Sequence, residues 1–168
     1  DTAAQLVAAA VRSHDELEAA RALLTQGLHD EGNAQCLKLR YPGKFAQNDA
    51  FGWLAYDGTH WTRQGAESRL DRAIVETLSA RIQAALDSGQ ADKHGPLIKF
   101  AVPSNARVQG AKALYSSLVY TPESNFDNDP DLLNCRNGVV DLRTGTLTTH
   151  APGQRFMHCV DIPYNPNA

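Results

Sequence analysis

The sequence lacks the short motifs by which many enzymes bind nucleotides or carry out hydrolysis. It contains no GxxxxGK[ST] phosphate-binding loop, no GxGxxG element, no GxSxG nucleophile elbow and no HExxH zinc motif. These absences disfavour NTP hydrolysis, dinucleotide binding, and serine or zinc hydrolysis within these 168 residues. We therefore expect a domain that has no catalytic residue, binds no cofactor and is not itself an enzyme.

Cysteines are few and long apolar runs are missing. Cys36, Cys135 and Cys159 are widely spaced and form no CxxC pair, which favours free thiols in a reducing compartment. No apolar run approaches the roughly 18–20 residues of a membrane span, and the N-terminus lacks a signal-peptide profile. We expect a cytoplasmic protein with no membrane partner. Because the chain starts at Asp1 rather than Met, we also expect a fragment of a longer protein.

The charge is unevenly distributed although the net value is only −3. Residues 1–34 hold six acidic residues against two arginines, whereas residues 93–121 hold no acidic residue. This asymmetry allows an anionic partner on one face. The second stretch contains four cations, namely Lys93, Lys99, Arg107 and Lys112. On a helix Arg107 and Lys112 would be about 140° apart, so they would not form one tight cluster. The alternative to phosphate binding is that both lie on a solvated helix surface, where their long side chains cover neighbouring residues.

Three regions have helical periodicity. Residues 1–28 carry two capping-box patterns, from Thr2 and from Ser13, and are predicted to form two helices of an N-terminal extension or linker. Residues 66–86 repeat an apolar residue every fourth position, which predicts a helix. Ser104 is a predicted N-cap for a helix from Asn105 to about Tyr120. The intervening residues 89–103 are predicted to be a loop, and residues 30–34 a turn.

An aromatic-rich hairpin is predicted at residues 51–62. Asp57-Gly58 is a favoured two-residue turn, which would pair Tyr56 with Thr59 and Leu54 with Trp61. Leu54, Tyr56 and Trp61 would then share one face. Aromatic residues here have two readings, a buried core or a platform on which single-stranded bases stack. The rings of the platform would come from Phe51, Trp53, Tyr56 and Trp61, beside His60 and Arg63, and Trp53 is the ring expected to be exposed.

Residues 130–150 are predicted to form a three-strand meander. Asn137-Gly138 suits the centre of a type I′ turn, and Gly145 suits the left-handed position of the second turn. Residues 139–142 would form the middle strand, and residues 156–162 a further strand. Together these elements predict an α+β fold, with helices packed against short antiparallel hairpins and a meander.

Two metal readings are disfavoured. Cys135, His150, His158 and Cys159 could supply zinc ligands, but adjacent residues of a strand point to opposite faces. The DNDPD segment at residues 127–131 lacks the glycine and glutamate of a calcium loop, which favours a capped turn. We expect no metal site.

Three segments resemble one known family. Residues 30–34 resemble a DxGNA element, residues 52–61 a W-x-x-Y-D/N-G-x-x-W hairpin, and residues 133–145 an LNxxNGxxDLxTG signature that is followed by a Y-x-P-x-A exit at residues 164–168. The combination is similar to the domain that precedes the superfamily 3 helicase in phage and plasmid primase–helicases, named for the poxvirus enzyme. The positions that carry the resemblance are Asn33, Trp61, Asn134, Asn137, Gly138, Asp141 and Gly145.

The resemblance implies that residues 29–168 are a noncatalytic middle domain between a primase and a hexameric AAA+ helicase. Its expected role is in DNA replication in a bacterial host, by contacting single-stranded or forked DNA or by coupling primase to helicase. The alternative is an oligomerisation or interdomain scaffold without DNA contact. ATP and magnesium are expected only for the downstream helicase, and the expected partners are DNA, the protein's own primase and helicase domains, and further copies in a hexamer. The candidate DNA-contacting residues are Trp53, His60, Arg63, Lys99, Arg107, Lys112, Arg136 and Arg143.

Overall fold

The structure is a computed structural model that describes residues 2–167, with side chains from residue 14 onward. Residues 1–40 and 72–115 form one compact unit, which we call the helical unit, and residues 41–71 and 116–168 form a second, the sheet unit. The helices within the described range are α1 (Thr2–Thr25), α2 (Asp30–Arg40), α3 (Ala66–Asp87), α4 (Gly95–Phe100) and α5 (Asn105–Leu118). The strands are β1 (Phe45–Asn48), β2 (Gly52–Tyr56), β3 (Trp61–Thr62), β4 (Leu132–Cys135), β5 (Gly138–Asp141) and β6 (Thr146–Thr148). The predicted α+β class is confirmed.

Helix α1 is continuous, so the prediction of two helices with a break at Ser13 is wrong. Ser, His and Asp inside a helix cost only tenths of a kcal/mol each, whereas a break leaves terminal backbone groups without partners. The buried residue near its end is Leu23, at 7% exposure, while Leu17 is 56% exposed.

Residues 30–34 are the first turns of helix α2 and do not form the predicted turn. Asp30 and Glu31 lie in the first turn, where carboxylates interact favourably with the helix dipole. Gly32 does not mark a bend. A Cβ at this position would collide with the carbonyl oxygen of Gly27, so the glycine serves close packing. Ala34, Cys36 and Leu37 are fully buried on the inner side of α2.

Helix α3 is present as predicted, but its buried face differs from the predicted stripe. Leu70, Ile74 and Leu78 are at most 1% exposed, whereas Leu86 is 50% exposed. A four-residue step turns about 400°, so a strict i+4 series drifts about 40° per step and leaves the core. The fully buried positions nearer the end of the helix are instead Arg81 and Ala85.

Helix α4 occupies residues that were predicted to be a loop. Pro96 lies in its first turn, where the missing N–H costs nothing, and Leu97 is buried. Helix α5 begins as predicted, since the Arg107 N–H donates to Ser104 Oγ at 3.3 Å. On α5 Leu114 is 45% exposed, and Lys112 is on the buried side.

The first sheet has the order β1-β2-β3 and is antiparallel. Tyr56 pairs with Trp61, so the loop spans residues 57–60 and the predicted pairing of Tyr56 with Thr59 is wrong by two positions. A shift of two preserves the faces. Leu54 and Trp61 are therefore buried together with Ala46 and Phe126, and Tyr56 packs against them. The short strand β1 was not predicted.

The second sheet is the meander β4-β5-β6. Cys135 pairs with Gly138, so Arg136 and Asn137 are the central residues of the first turn. Asn137 has no positive φ, and the predicted type I′ turn centred on Asn137-Gly138 is wrong. Gly145 has a φ of +70°, as predicted for the second turn.

Residues 156–162 do not form the predicted strand. They contribute one isolated bridge, Val160 to Cys135, and the Val160 N–H donates to the Asn134 carbonyl at 2.8 Å. Proline 163 stops further pairing because it has no N–H. None of the helices within the described range combines the length and apolar character needed to cross a bilayer.

Candidate nucleic-acid interface

The helical unit contributes three of the candidate cations, and they do not form one cluster. The Arg107 guanidinium lies 3.4 Å above the centre of the Phe100 ring and 4.0 Å from Asp30 Oδ1. Lys112 is only 8% exposed. Lys99 is exposed on α4 and has no ion pair in the described structure. Lys99 and the partly exposed edge of Arg107 are therefore the cationic groups that this set offers to solvent.

The hairpin of the first sheet places Trp53, His60 and Arg63 in different surroundings. Trp53 is half-buried, on the strand face opposite to Leu54, and Arg63 is exposed. His60 Nδ1 lies 2.9 Å from Thr59 Oγ1 and 3.2 Å from Asp57 Oδ2. The His60 ring is thus engaged by its own loop.

Asp57 organises that loop. Its Oδ1 accepts hydrogen bonds from the backbone N–H groups of Thr59 at 2.8 Å and His60 at 2.9 Å. Partial burial alone would raise the pKa of Asp57, but the hydrogen bonds from His60 and Thr59 outweigh it and lower the pKa below its ordinary value.

The meander arginines are matched by local carboxylates. Arg143 Nε lies 3.3 Å from Asp141 Oδ1, and its Nη1 lies 3.5 Å from Asp131 Oδ2. The hydrogen bond and charge of Asp141 raise the pKa of Arg143, and the hydrogen bonds from Arg143 lower the pKa of Asp141. Arg136 Nη1 lies 3.4 Å from Asp161 Oδ1.

The two units also differ in charge. In the sheet unit acidic residues outnumber lysines and arginines ten to six, whereas in the helical unit lysines and arginines outnumber acidic residues ten to nine. Nonspecific affinity for nucleic acid depends on neutralising phosphates, so the helical unit is electrostatically the better suited of the two.

The signature asparagines use their side chains to hold backbone segments. Asn134 is buried, and its Nδ2 donates to the Thr59 carbonyl at 3.0 Å and to the His158 carbonyl at 2.8 Å. Asn137 Nδ2 donates to the Tyr164 carbonyl at 3.0 Å, and the Tyr164 N–H donates to Asn137 Oδ1 at 2.8 Å. Both side chains therefore join the meander to segments distant in sequence.

The other signature residues of the sheet unit also contact main chain or close a turn. The Trp61 indole N–H donates to the Pro152 carbonyl at 2.9 Å. Asp141 Oδ1 accepts from the Arg143 N–H at 2.8 Å. A Cβ on Gly138 would collide with the Thr148 carbonyl oxygen. These contacts give each residue a part in shaping the second sheet and its loops.

One residue that sequence reasoning missed is Arg81, which donates to Asn33 Oδ1 at 2.6 Å in the helical unit. Tyr164 was identified only as the first residue of the exit motif, and the structure shows that Asn137 holds it. The signal for Arg81 was a charged residue at a position that continues the apolar face of α3 after Leu78.

The described part of the chain contains no group of three or more His, Cys, Asp or Glu side chains placed to bind a metal ion. The DNDPD segment is a capped turn, in which Asp129 Oδ1 accepts from the Asp131 N–H at 3.0 Å.

These features define an α+β domain whose distinctive polar residues hold loops and segments in place. The chain belongs to the D5 N-terminal-like family, whose family model matches residues 34–168. This confirms the resemblance to the domain that precedes the superfamily 3 helicase in phage and plasmid primase–helicases. Asn33 lies one residue before the matched range. Family membership indicates an N-terminal domain of a primase–helicase rather than a catalytic domain. A search of curated proteins finds no match to the chain.

Proposed function

We propose that this chain is a noncatalytic accessory domain of a phage-type primase–helicase, which couples the primase to the hexameric helicase in DNA replication and contacts DNA through the helical unit. The observation that carries the proposal is the family match over residues 34–168. ATP and Mg²⁺ belong in this proposal to the helicase domain and not to these residues, and the site of action is the cytoplasm of a bacterial host.

The hydrogen bonds that the signature residues make within the domain support a noncatalytic role. The side-chain amides of Asn134 and Asn137 donate to backbone carbonyls of the domain itself, and Asp141 accepts from a backbone N–H. A side chain that acts on a substrate must instead present its donor or acceptor to the reacting atoms. The signature is thus better suited to architecture than to chemistry.

The charge distribution supports DNA contact through the helical unit. Arg136 and Arg143 already lie beside carboxylates, and a phosphate approaching them would meet the charge of those acids as well. Lys99 is exposed, and the stretch of sequence in which it lies, residues 93–121, contains no acidic residue. We assign the phosphate contact to Lys99, because Arg107, like the two arginines of the meander, already lies beside a carboxylate, that of Asp30.

Fluorescence anisotropy of the chain with labelled single-stranded and forked DNA tests this contact. Binding should weaken steeply between about 50 mM and 200 mM salt, because each phosphate contact releases counterions. Lys99→Ala should weaken binding and reduce the salt slope by about one unit. Lys38→Ala, which removes an exposed lysine from α2, is the matched control and should leave both quantities unchanged. Equal effects of the two variants would contradict the assignment to Lys99.

The arginines of the meander already form ion pairs within the domain. This favours the second candidate function, an oligomerisation or interdomain scaffold without DNA contact. Arg143 between Asp131 and Asp141 is already paired within the domain. If the chain fails to bind either DNA at about 50 mM salt, where phosphate contacts are strongest, the scaffold replaces the DNA-contacting role. Sedimentation of the full-length protein should then show that this domain is required for the hexamer.

A further inference from the structure

The segment of residues 158–164 follows β4 along its free edge. The Val160 N–H donates to the Asn134 carbonyl at 2.8 Å, and the Arg136 N–H donates to the Ile162 carbonyl at 3.2 Å. The first bond belongs to the isolated bridge between Val160 and Cys135, and the second holds the segment two residues further on. These two bonds secure the segment as far as Ile162, and Pro163 then cannot donate a third.

The side chain of Asn137 continues the attachment beyond these two backbone hydrogen bonds. Its Oδ1 accepts from the Tyr164 N–H at 2.8 Å, and its Nδ2 donates to the Tyr164 carbonyl at 3.0 Å. A side-chain amide that bonds both backbone groups of one residue fixes that residue's direction as well as its position. Asn137 is itself exposed, so packing of its side chain does not explain its presence.

The second turn of the meander reaches the same residue. A Cβ on Gly145 would lie 3.1 Å from the Tyr164 hydroxyl oxygen, closer than ordinary van der Waals contact. Gly145 also has a φ of +70°, which the turn requires. Both turns of the meander therefore converge on Tyr164, although one is at Arg136–Asn137 and the other at residues 142–145.

We propose that the meander is a clamp for the segment of residues 158–164, and that Asn137 is a positioning residue that sets the direction in which the chain leaves the domain toward the helicase. The inference rests on the proposed function, since it makes the clamp the part of the domain through which coupling to the helicase passes. The clamp explains why the signature contains both Asn137 at the first turn and Gly145 at the second, since both residues lie against Tyr164.

Amide hydrogen exchange of this chain tests the clamp without any helicase activity. In Asn137→Ala the Tyr164 N–H loses its acceptor and should exchange about tenfold faster, as expected for one hydrogen bond. The Val160 N–H should be unchanged, because its acceptor is a backbone carbonyl of β4. Asn137→Asp keeps an oxygen at Oδ1 and should preserve much of the Tyr164 protection. Unchanged exchange of Tyr164 in Asn137→Ala would overturn the clamp.

The positioning role requires the full-length primase–helicase. Asn137→Ala should reduce the base pairs unwound per ATP hydrolysed severalfold while leaving ATP hydrolysis and the thermal midpoint close to wild type. Asn128→Ala, which truncates another exposed asparagine of the sheet unit, is the matched control and should unwind normally. Unwinding by Asn137→Ala at the wild-type yield would overturn this inference alone. A wild-type protein with no ATP-dependent unwinding would overturn the proposed function, and the positioning role with it.

Discussion

The guanidinium of Arg81 donates to the side-chain oxygen of Asn33 at 2.6 Å, and neither residue is more than 1% exposed. Arg81 also donates to three carbonyls at and beyond the end of α1, those of Leu23, Gln26 and Gly27, at 2.9–3.3 Å. These carbonyls have no partners within the helix, and a cation at a helix C-terminus interacts favourably with the dipole. Burial lowers the pKa of Arg81, but a guanidinium keeps its charge in proteins. Arg81 therefore attaches the end of α1 to α3 and α2.

Replacing Arg81 with Met should destabilise the helical unit. Met has a long apolar side chain, so the main loss is of hydrogen bonds. Asn33 Oδ1 and the carbonyls of Gln26 and Gly27 lose their Arg81 donor, while the Leu23 carbonyl keeps the Cys36 thiol. We expect a loss of about 3 kcal/mol in the free energy of unfolding, since each buried acceptor without a partner costs about 1–3 kcal/mol before relaxation. Urea unfolding followed by circular dichroism at 222 nm measures the change.

Arg72→Met is the matched control for this prediction. Arg72 lies on the same helix but is exposed, so its replacement should change stability by less than about 0.5 kcal/mol. Arg81→Lys should fail to restore wild-type stability, because an ammonium lacks the fork of donors that reaches several carbonyls. A variant Arg81→Met as stable as wild type would show that water or other groups replace the guanidinium.

The reactivity of the three cysteines should follow their burial. Burial raises the pKa of Cys36 to about 11, and its Sγ donates to the Leu23 carbonyl at 3.6 Å. Cys159 is only partly buried, although its pKa is also raised. Iodoacetamide under native conditions, followed by mass spectrometry, should therefore modify Cys159 before Cys36, because the thiolate is the nucleophile and access limits the rate. Modification of Cys36 at the same rate as Cys159 would contradict the buried environment of α2.

The sequence predicted elements that depend on local signals and missed those that depend on distant partners. The meander and α3 were predicted because turn glycines and apolar periodicity lie within the elements themselves. Strand β1 has only four residues, and its Gln47 N–H is bonded to the distant Val119 carbonyl at 3.3 Å. Helix α2 was missed because Gly32 and Asn33 favour turns in isolation, whereas here their packing against Gly27 and bonding to Arg81 override that preference.

The sequence predicted which residues were candidates for the site, but not their interaction partners or their burial. Arg143 was identified from its place in a turn, but its carboxylate partner Asp131 lies on the far side of β4 and β5 in sequence. Lys112 was read as a surface cation because helical periodicity does not fix which face is buried; the structure places it inside. The role of Tyr164 depended on a pairing with Asn137 across 27 residues, which no local pattern encodes.

Acid sensitivity of the first sheet should depend on Asp57. Its pKa is lower in the folded protein than its ordinary value of 3.8, so the unfolded state binds the proton at higher pH. The stability that Asp57 contributes is therefore complete above that ordinary value and is lost as pH falls through the lowered, folded value. Asp57→Asn keeps an oxygen for the Thr59 and His60 N–H groups but cannot titrate, so its stability should vary less with pH in this window.

Urea midpoints measured from about pH 2 to pH 6, which spans the ordinary range of aspartate, give the pH dependence of the two proteins. Asp92→Asn is the control, because the Asp92 side chain is exposed and makes no hydrogen bond or ion pair in the described structure. It should retain the wild-type pH dependence. An Asp57→Asn variant with the wild-type slope would assign the acid sensitivity to other carboxylates.

Gly138→Ala should destabilise the second sheet, because the position is restricted in two independent ways. Gly138 has a φ of +148°, which L-residues rarely adopt, and a Cβ would meet the Thr148 carbonyl oxygen and approach Leu147 Cδ1 to 2.9 Å. Backbone strain of this kind costs about 1–3 kcal/mol, and the collision with main chain adds to it because β6 must move. Gly153→Ala is the matched control, since nothing lies within 4 Å of a Cβ there and its φ is not positive. Chemical unfolding of both variants should separate them by at least about 1 kcal/mol. If Gly138→Ala matched Gly153→Ala in stability, the close approach of β5 to β6 at this position would not be present in solution.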